Sequence, residues 1–202
     1  MKFSYPTLGI DESSNNDSEV FVGVSSYSIE DTIARDEGIT KNRSRNLGID
    51  DFLSEHVRFR YVSVDSKFCR ENELSNWKVK LISIATLIRD FYEVEGIDNV
   101  LLDGELDQPM REELYGMLFP YAPKITPIHK ADSTIPLVNM ADNIAYRLNS
   151  HRFKKYNNFA DTYRKNKIEV NLENTIDYSK KCLELTRNEN IFPMNPVVCR
   201  ES

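Results

Sequence analysis

The sequence predicts an α/β fold in which a five-stranded mixed sheet carries helices on both faces. Two mainly apolar stretches flank a polar turn near the N-terminus, and a third stretch at residues 56–65 alternates hydrophobic and polar residues, which together predict three antiparallel meander strands. After about residue 73, helical periodicity alternates with short apolar runs, which is typical of parallel strands joined by helices. The 202 residues, 40% of them hydrophobic, are enough to bury a core. We expect one domain over residues 1–160 and a C-terminal helical appendage and tail over 161–202.

The three meander strands are predicted at residues 5–10, 20–27 and 56–65. Serine, asparagine and aspartate crowd residues 13–18, and their side chains favour a turn between the first two strands. Residues 29–55 are polar and contain two glycines, so we predict a helical insertion between the second and third strands.

Helices and strands alternate over the rest of the predicted domain. Apolar residues recur at helical spacing over residues 73–95, and Gly96 closes this helix. The apolar run 99–103 is typical of a buried parallel strand. Pro127 places the strand at 124–129 on the edge of the sheet, because proline cannot donate to a ladder. Further helices are predicted at about 109–118, 136–149 and 172–186.

Two adjacent carboxylates, Asp11 and Glu12, follow the first apolar run. In a continuing strand they would point to opposite faces, but a bend at the strand end would turn both toward one site. A solvated acidic turn is the alternative, since charged residues are mostly exposed. A right-handed crossover that places the fourth strand beside the first would bring Asp103 next to Asp11. Carboxylates from two strands at one sheet edge indicate a metal site.

Four short blocks follow one another along residues 8–150. They are Gly9-Ile10-Asp11-Glu12, Asp103 before Gly104, His129-Lys130-Ala131-Asp132, and Pro136-Leu137-Val138 with Ile144-Ala145. Together they resemble type 2 ribonuclease H (ribonuclease HII). The resemblance implies a ribonuclease H-like fold and a nuclease that hydrolyses phosphodiester bonds in RNA or an RNA/DNA hybrid. It also implies a carboxylate quartet for two Mg²⁺ or Mn²⁺ ions, formed by Asp11, Glu12, Asp103 and Asp132.

The residue types suit the chemistry that the resemblance implies. Mg²⁺ and Mn²⁺ prefer oxygen ligands such as carboxylates. Two such ions about 3.5–4 Å apart activate a water and stabilise the leaving oxygen, so no nucleophilic side chain is required. The ions also offset the repulsion between the carboxylates.

The sequence departs from type 2 ribonuclease H directly after the acid pair. That family continues with a Gly-Arg-Gly turn whose backbone contacts the ribose 2′-hydroxyl, whereas this chain has Ser13-Ser14-Asn15-Asn16. The segment from Leu137 to Ala145 is instead similar to the L-Q-x-A-D-x-x-A helix of an uncharacterised ribonuclease H-like family that opens with I-D-E-S. That similarity makes Asp142 a rival to Asp132 for the fourth ligand position.

Several of these carboxylates have structural alternatives. Asp132 could cap the helix that follows it, and Asp107 is predicted to cap the helix after the fourth strand. Asp142 lies on a largely apolar helix, where a buried carboxylate is costly unless a metal or Arg147 compensates it.

The net charge of −6 hides an uneven distribution. Residues 1–40 contain two basic and eight acidic side chains, whereas residues 142–167 contain seven basic and two acidic ones. A local basic face could follow phosphates while the acidic end holds cations, so we expect nucleic acid as the partner. The candidate contacts are Lys41, Arg43, Arg45, Lys130, Arg147, Arg152, Lys154 and Lys155.

Composition disfavours other classes of protein. No apolar run is long enough for a membrane span and the N-terminus lacks a signal-peptide pattern, so we expect a cytoplasmic protein. Three widely spaced cysteines argue against a zinc knuckle and a disulfide scaffold. Two other functions stay open. One is a non-catalytic binding or regulatory module with the same fold, and the other is a carboxylate-metal hydrolase of a small phosphorylated molecule.

Overall fold

Five strands form one mixed sheet, namely β1 (Lys2–Ser14), β2 (Ser18–Ser28), β3 (Arg58–Asp65), β4 (Asn99–Asp103) and β5 (Lys124–Ile128). The computed structural model describes residues 2–15, 18–36, 49, 57–150, 162–170 and 172. Across the sheet the strands follow the order β3-β2-β1-β4-β5. The first three are antiparallel neighbours, and β4 and β5 continue the sheet parallel to β1.

Helices cover both faces of this sheet, as predicted. They are α1 (Ser66–Glu71), α2 (Asn76–Glu95), α3 (Gln108–Leu118), α4 (Ala131–Thr134) and α5 (Pro136–Asn149), with 3-10 turns at Ile29–Asp31 and Arg164–Asn166. One hydrophobic core lies between the sheet and helices α2 and α3, and a second lies between the sheet and α5. No helix in the described ranges has the length and apolarity needed to cross a membrane.

Strand β1 occupies the middle of the sheet and is paired on both sides. Its parallel register with β4 aligns Ile10 with Leu102, so the carboxyl ends of the two strands meet at one edge. The predicted placement of the fourth strand beside the first is confirmed. The edge position predicted from Pro127 is confirmed as well, since β5 is the outermost strand on this side.

Alternation along β1 assigns its side chains to the two cores. Leu8 and Ile10 are fully buried in the core beneath α2. Gly9 faces α5, whose backbone approaches so closely that an added Cβ would lie 3.0 Å from the Leu137 carbonyl carbon and 3.1 Å from the Val138 nitrogen. Glycine is therefore required at this position for the helix to sit where it does.

The structure corrects several predicted boundaries. Strand β1 runs on to Ser14 and β2 begins at Ser18, so both strands extend into the predicted turn at residues 13–18. Pairing with β2 overrides the turn preference of the serines. Helix α2 begins at Asn76 rather than at residue 73. Helix α1 was not predicted, although Asp65 caps it by accepting a 2.6 Å hydrogen bond from the Phe68 amide.

Two predicted segments fall largely outside the described residues. In the predicted insertion at 29–55, a 3-10 turn follows Ser28, and residues 37–48 and 50–55 lie outside the described ranges. The predicted C-terminal helix lies outside except for Leu172. Before it, Lys167 forms an isolated bridge with Tyr61 of β3. The domain boundary at residue 160 stays a prediction.

Gly9→Ala is expected to lower the free energy of unfolding by about 1–3 kcal/mol, because α5 must move away from β1 to admit the methyl group. Urea denaturation followed by circular dichroism gives the measurement. Ser14→Ala, at an exposed position on the same strand, is the control and should change little. Equal stability of Gly9→Ala and the parent would contradict the close approach.

Candidate metal centre

Three carboxylates from three different elements meet at the carboxyl edge of the sheet. Asp11 of β1, Asp132 of α4 and Asp142 of α5 each offer an oxygen, and these oxygens lie within 4.8 Å of one another. Oxygen ligands of divalent ions lie at roughly 2.0–2.6 Å from the metal, so two ligands of one ion are separated by at most about 5 Å. The carboxylate trio, meaning Asp11, Asp132 and Asp142, therefore has the spacing that one divalent ion requires.

Asp11 reaches the trio because β1 continues as a regularly paired strand through this residue. Residues two apart on a strand share a face, so Asp11 points to the α5 side together with Gly9. Its side chain is only 5% exposed. The Glu12 amide donates a 2.6 Å hydrogen bond to its Oδ1.

Asp142 reaches the trio from the polar side of α5. Leu137, Val138 and Ile144 of this helix contribute to the core against the sheet. Asn139, Asp142 and Asn143 recur at helical spacing and are buried as well. A buried carboxylate beside a second one is unfavourable in the absence of a cation, and the trio brings Asp142 and Asp11 together in this way.

Asp132 lies on the four-residue helix α4. The helix that follows has Ile135 at its N-cap, so the alternative in which Asp132 caps it is wrong. The residue that precedes α4, Lys130, adopts a left-handed conformation with φ 56°. Both rivals for the fourth ligand position, Asp132 and Asp142, therefore occur together in one cluster.

Asp103 lies beside the trio without belonging to it. Leu101 packs against the core beneath α5, and Asp103, two residues further along β4, shares that face. Its Oδ1 accepts a 3.2 Å hydrogen bond from the Asp132 amide. The charge of Asp103 also contributes to raising the pKa of Asp11.

Glu12 lies on the other face of the sheet. The predicted bend that would turn both acids of the pair toward one site is wrong, because β1 continues in register with β2 to Ser14. Glu12 Oε1 instead forms a 2.6 Å salt bridge with Lys80 Nζ of α2, and its Oε2 is buried with no hydrogen-bond partner among the described residues. The role of Glu12 as a metal ligand stays a prediction.

Burial raises the pKa of the Asp11 carboxyl to about 9, the largest cause being loss of solvent. The charges of Asp142, Asp103 and Glu12 raise it further, while the hydrogen bond from the Glu12 amide opposes them. Without a cation Asp11 is therefore protonated at neutral pH, and a divalent ion would displace that proton.

Side-chain hydrogen bonds tie the adjoining ends of β1 and β2 to the last residue of α5. Asn15 donates to both the backbone oxygen and Oδ1 of Asn149, at 2.9 and 2.6 Å. Asn149 donates to the Ser13 carbonyl at 2.6 Å, and the Ser18 hydroxyl donates to its Oδ1 at 2.8 Å. This network was not predicted, and its only signal in the sequence is the set of asparagines on the largely apolar helix α5.

The remaining candidate residues divide into four groups. Asp107 caps α3 as predicted, since it accepts a 2.8 Å hydrogen bond from the Met110 amide. Lys130 is exposed at the entrance of α4. Arg147 is 6% exposed, and this burial does not suit a surface contact with nucleic acid. Six proposed contacts lie outside the described residues, namely Lys41, Arg43, Arg45, Arg152, Lys154 and Lys155.

In the absence of divalent ions, the free energy of unfolding is expected to fall as the pH rises from about 4 to 9. The unfolded chain releases the Asp11 proton near the ordinary pKa of 3.8, whereas the folded protein keeps it until about pH 9. The folded state therefore binds more protons in this window, and its stability is greatest at the acidic end.

Thermal unfolding in a chelator across this pH range tests the expectation. Asp11→Asn removes the titrating group and should flatten the dependence, whereas Asp98→Asn, at an exposed position before β4, should leave it unchanged. Identical slopes for Asp11→Asn and the parent would show that Asp11 is not the group responsible.

Lys80→Met should lower the free energy of unfolding by about 1–3 kcal/mol, because it leaves the partly buried Glu12 carboxylate without its partner. The double variant Glu12→Gln with Lys80→Met removes that charge and should recover part of the loss. Urea denaturation of both variants measures the difference. An unchanged Lys80→Met protein would mean that the salt bridge contributes nothing to stability.

No protein-family model matches the sequence, and no curated protein is significantly similar to it. Solved structures are similar to the fold. The ribonuclease H2 of Pyrococcus horikoshii OT3 superposes with a TM-score of 0.51 and 15% identity, over 93% of this chain and 90% of that one.

Two further structures superpose with TM-scores of 0.47. They are the ribonuclease HII of Archaeoglobus fulgidus in its complex with PCNA, at 16% identity over 98% of both chains, and a mutant of Bst ribonuclease HIII, at 14% identity over 73% of this chain. The chain spans about half, 52%, of the ribonuclease HIII. The similarity to ribonuclease H2 establishes the architecture: the chain has a ribonuclease H-like α/β fold resembling that of type 2 ribonuclease H.

Proposed function

We propose that this protein is a metal-dependent nuclease that hydrolyses phosphodiester bonds in nucleic acid, with RNA or an RNA/DNA hybrid as its substrate. The observation that carries the proposal is the carboxylate trio, which converges from three elements at the carboxyl edge of a ribonuclease H-like sheet. Ligand sites of open α/β sheets lie at this edge.

The trio fits a hard divalent cation such as Mg²⁺ or Mn²⁺. Its donors are all carboxylate oxygens, two of the three residues are buried, and their mutual repulsion calls for a compensating positive charge. We propose that Asp11, Asp132 and Asp142 hold one ion and that Asp103 helps to hold a second. When bound, two such ions supply an activated water and stabilise the leaving oxygen.

The chain's own residues would orient the substrate around this site. Asp11 is buried, so its side of the trio is shielded from bulk water. Lys130 is exposed two residues before Asp132, where its ammonium group can contact a phosphate. The chain lacks the Gly-Arg-Gly turn, and Asn15 is instead hydrogen-bonded to Asn149 of α5. The assay below therefore compares RNA, DNA and hybrid substrates.

One observation favours a second candidate, a non-catalytic nucleic-acid-binding or regulatory module with the same fold. Glu12, the neighbour of Asp11, is held by Lys80 on the opposite face of the sheet, so the carboxylates gathered at the edge are fewer than the predicted set. In such a module the trio would bind an ion that stabilises the fold without supporting hydrolysis.

Labelled RNA, DNA and RNA/DNA hybrid should be incubated with the protein and Mg²⁺ or Mn²⁺. We expect cleavage of RNA or hybrid that is lowered about 100-fold or more by Asp11→Asn and by Asp142→Asn, because each removes a charged ligand. Asp98→Asn makes the same chemical change at an exposed position outside the trio and should cleave as the parent does.

Failure to cut any substrate, together with measurable ion binding, would favour the non-catalytic module. Equal cleavage by the parent and both trio variants would refute the assignment of the site.

A further inference from the structure

We propose that Asn139 is a positioning residue that fixes Asp132 in the carboxylate trio and thereby sets the affinity of the site for divalent ions. The inference rests on the proposed function, because it assumes that the trio binds an ion. The inference is based on a hydrogen bond of 2.6 Å from Asn139 Nδ2 to the backbone oxygen of Asp132.

Among the three members of the trio, Asp132 has the weakest local support. Asp11 lies on a strand paired on both sides, and Asp142 lies within a helix of 14 residues. Asp132 lies on a helix of four residues. A single turn fixes many dihedral angles for few hydrogen bonds, so it depends on contacts from elsewhere.

External contacts hold Asp132 at both of its backbone groups. Its amide donates to Asp103 Oδ1 at 3.2 Å, which ties it to the end of β4. Its carbonyl oxygen accepts from Asn139, which ties it to the first turn of α5. Because both neighbouring peptide groups are held, the direction in which the Asp132 side chain leaves the backbone is restricted.

Asn139 connects the positions of two proposed ligands, Asp132 and Asp142. It precedes Asp142 by three residues on α5, so the two share a face of the helix. Its hydrogen bond to Asp132 therefore links the two helices that carry ligands. The side chain is 6% exposed, and a hydrogen bond shielded from water in this way is stronger than an exposed one.

Asn143 provides a matched control on the same helix. It is also a buried asparagine, at 1% exposure, and its Nδ2 donates to a backbone oxygen at 2.8 Å. That oxygen belongs to Asn139, within the same helix, and not to α4. A loss of ion affinity caused merely by removing a buried amide from α5 would therefore occur in both variants.

The experiment compares Asn139→Ala and Asn139→Leu with Asn143→Ala and with the parent. Leucine keeps the size of the asparagine side chain but cannot donate, so it separates the hydrogen bond from the packing. Mn²⁺ affinity is measured by calorimetry, the Mn²⁺ coordination by electron paramagnetic resonance, and stability by thermal unfolding in a chelator.

We expect both Asn139 variants to bind Mn²⁺ about 10-fold to 100-fold more weakly than the parent, with an altered resonance spectrum. Asn143→Ala should bind within about twofold of the parent, although its stability is lowered. Parent-like Mn²⁺ affinity in the Asn139 variants, or an equal loss in Asn143→Ala, would overturn the inference. A parent protein that binds no Mn²⁺ would overturn the proposed function, and this inference with it.

Discussion

Helix α5 lies against β1 at Gly9, where the backbones come so close that no side chain fits between them. This contact places the helix over the strand two residues before Asp11, on the face to which Asp11 also points. The same close approach brings Asp142 of α5 beside Asp11 of β1. The candidate site therefore depends on the lack of a side chain at Gly9 as much as on the three carboxylates that form it.

The closeness has an electrostatic consequence. Burial and the charges of Asp142 and Asp103 all act against ionisation of Asp11, so a proton and a metal ion compete for the same place. Glu12 adds to the repulsion from the opposite face, but Lys80 lies against it and offsets part of its charge. The sheet thus separates two acidic neighbours, one paired with Lys80 and the other gathered with two further carboxylates.

Most of the fold could be predicted because its signals are local or follow from general rules. The handedness of crossovers placed β4 beside β1, and with it Asp103 beside Asp11. The extent of β1 could not be predicted, since Ser13 and Ser14 favour turns when only neighbours in sequence are considered. That error also hid which face Glu12 occupies, because its direction depends on whether the strand continues.

The contacts of the polar residues of α5 could not be predicted from the sequence for another reason. Asn149 binds Asn15, which lies 134 positions away in the chain, and nothing local to either residue indicates the other. Asn139 binds a helix of only one turn, which is too short to produce a periodic pattern. Asp142 entered the predictions only through a resemblance to another family, because its burial beside Asp11 is a property of the packed structure.

The hydrogen bonds of Asn149 have one further consequence. They tie the last turn of α5 to the adjoining ends of β1 and β2, while the first turn lies against Gly9. Asp142 therefore lies on a helix held against the sheet at both ends, whereas Asp132 lies on a helix of four residues. Magnesium requires oxygens at about 2.0–2.1 Å and calcium at about 2.3–2.6 Å. In the proposed site, selection between the two ions would therefore depend on how α4 positions Asp132.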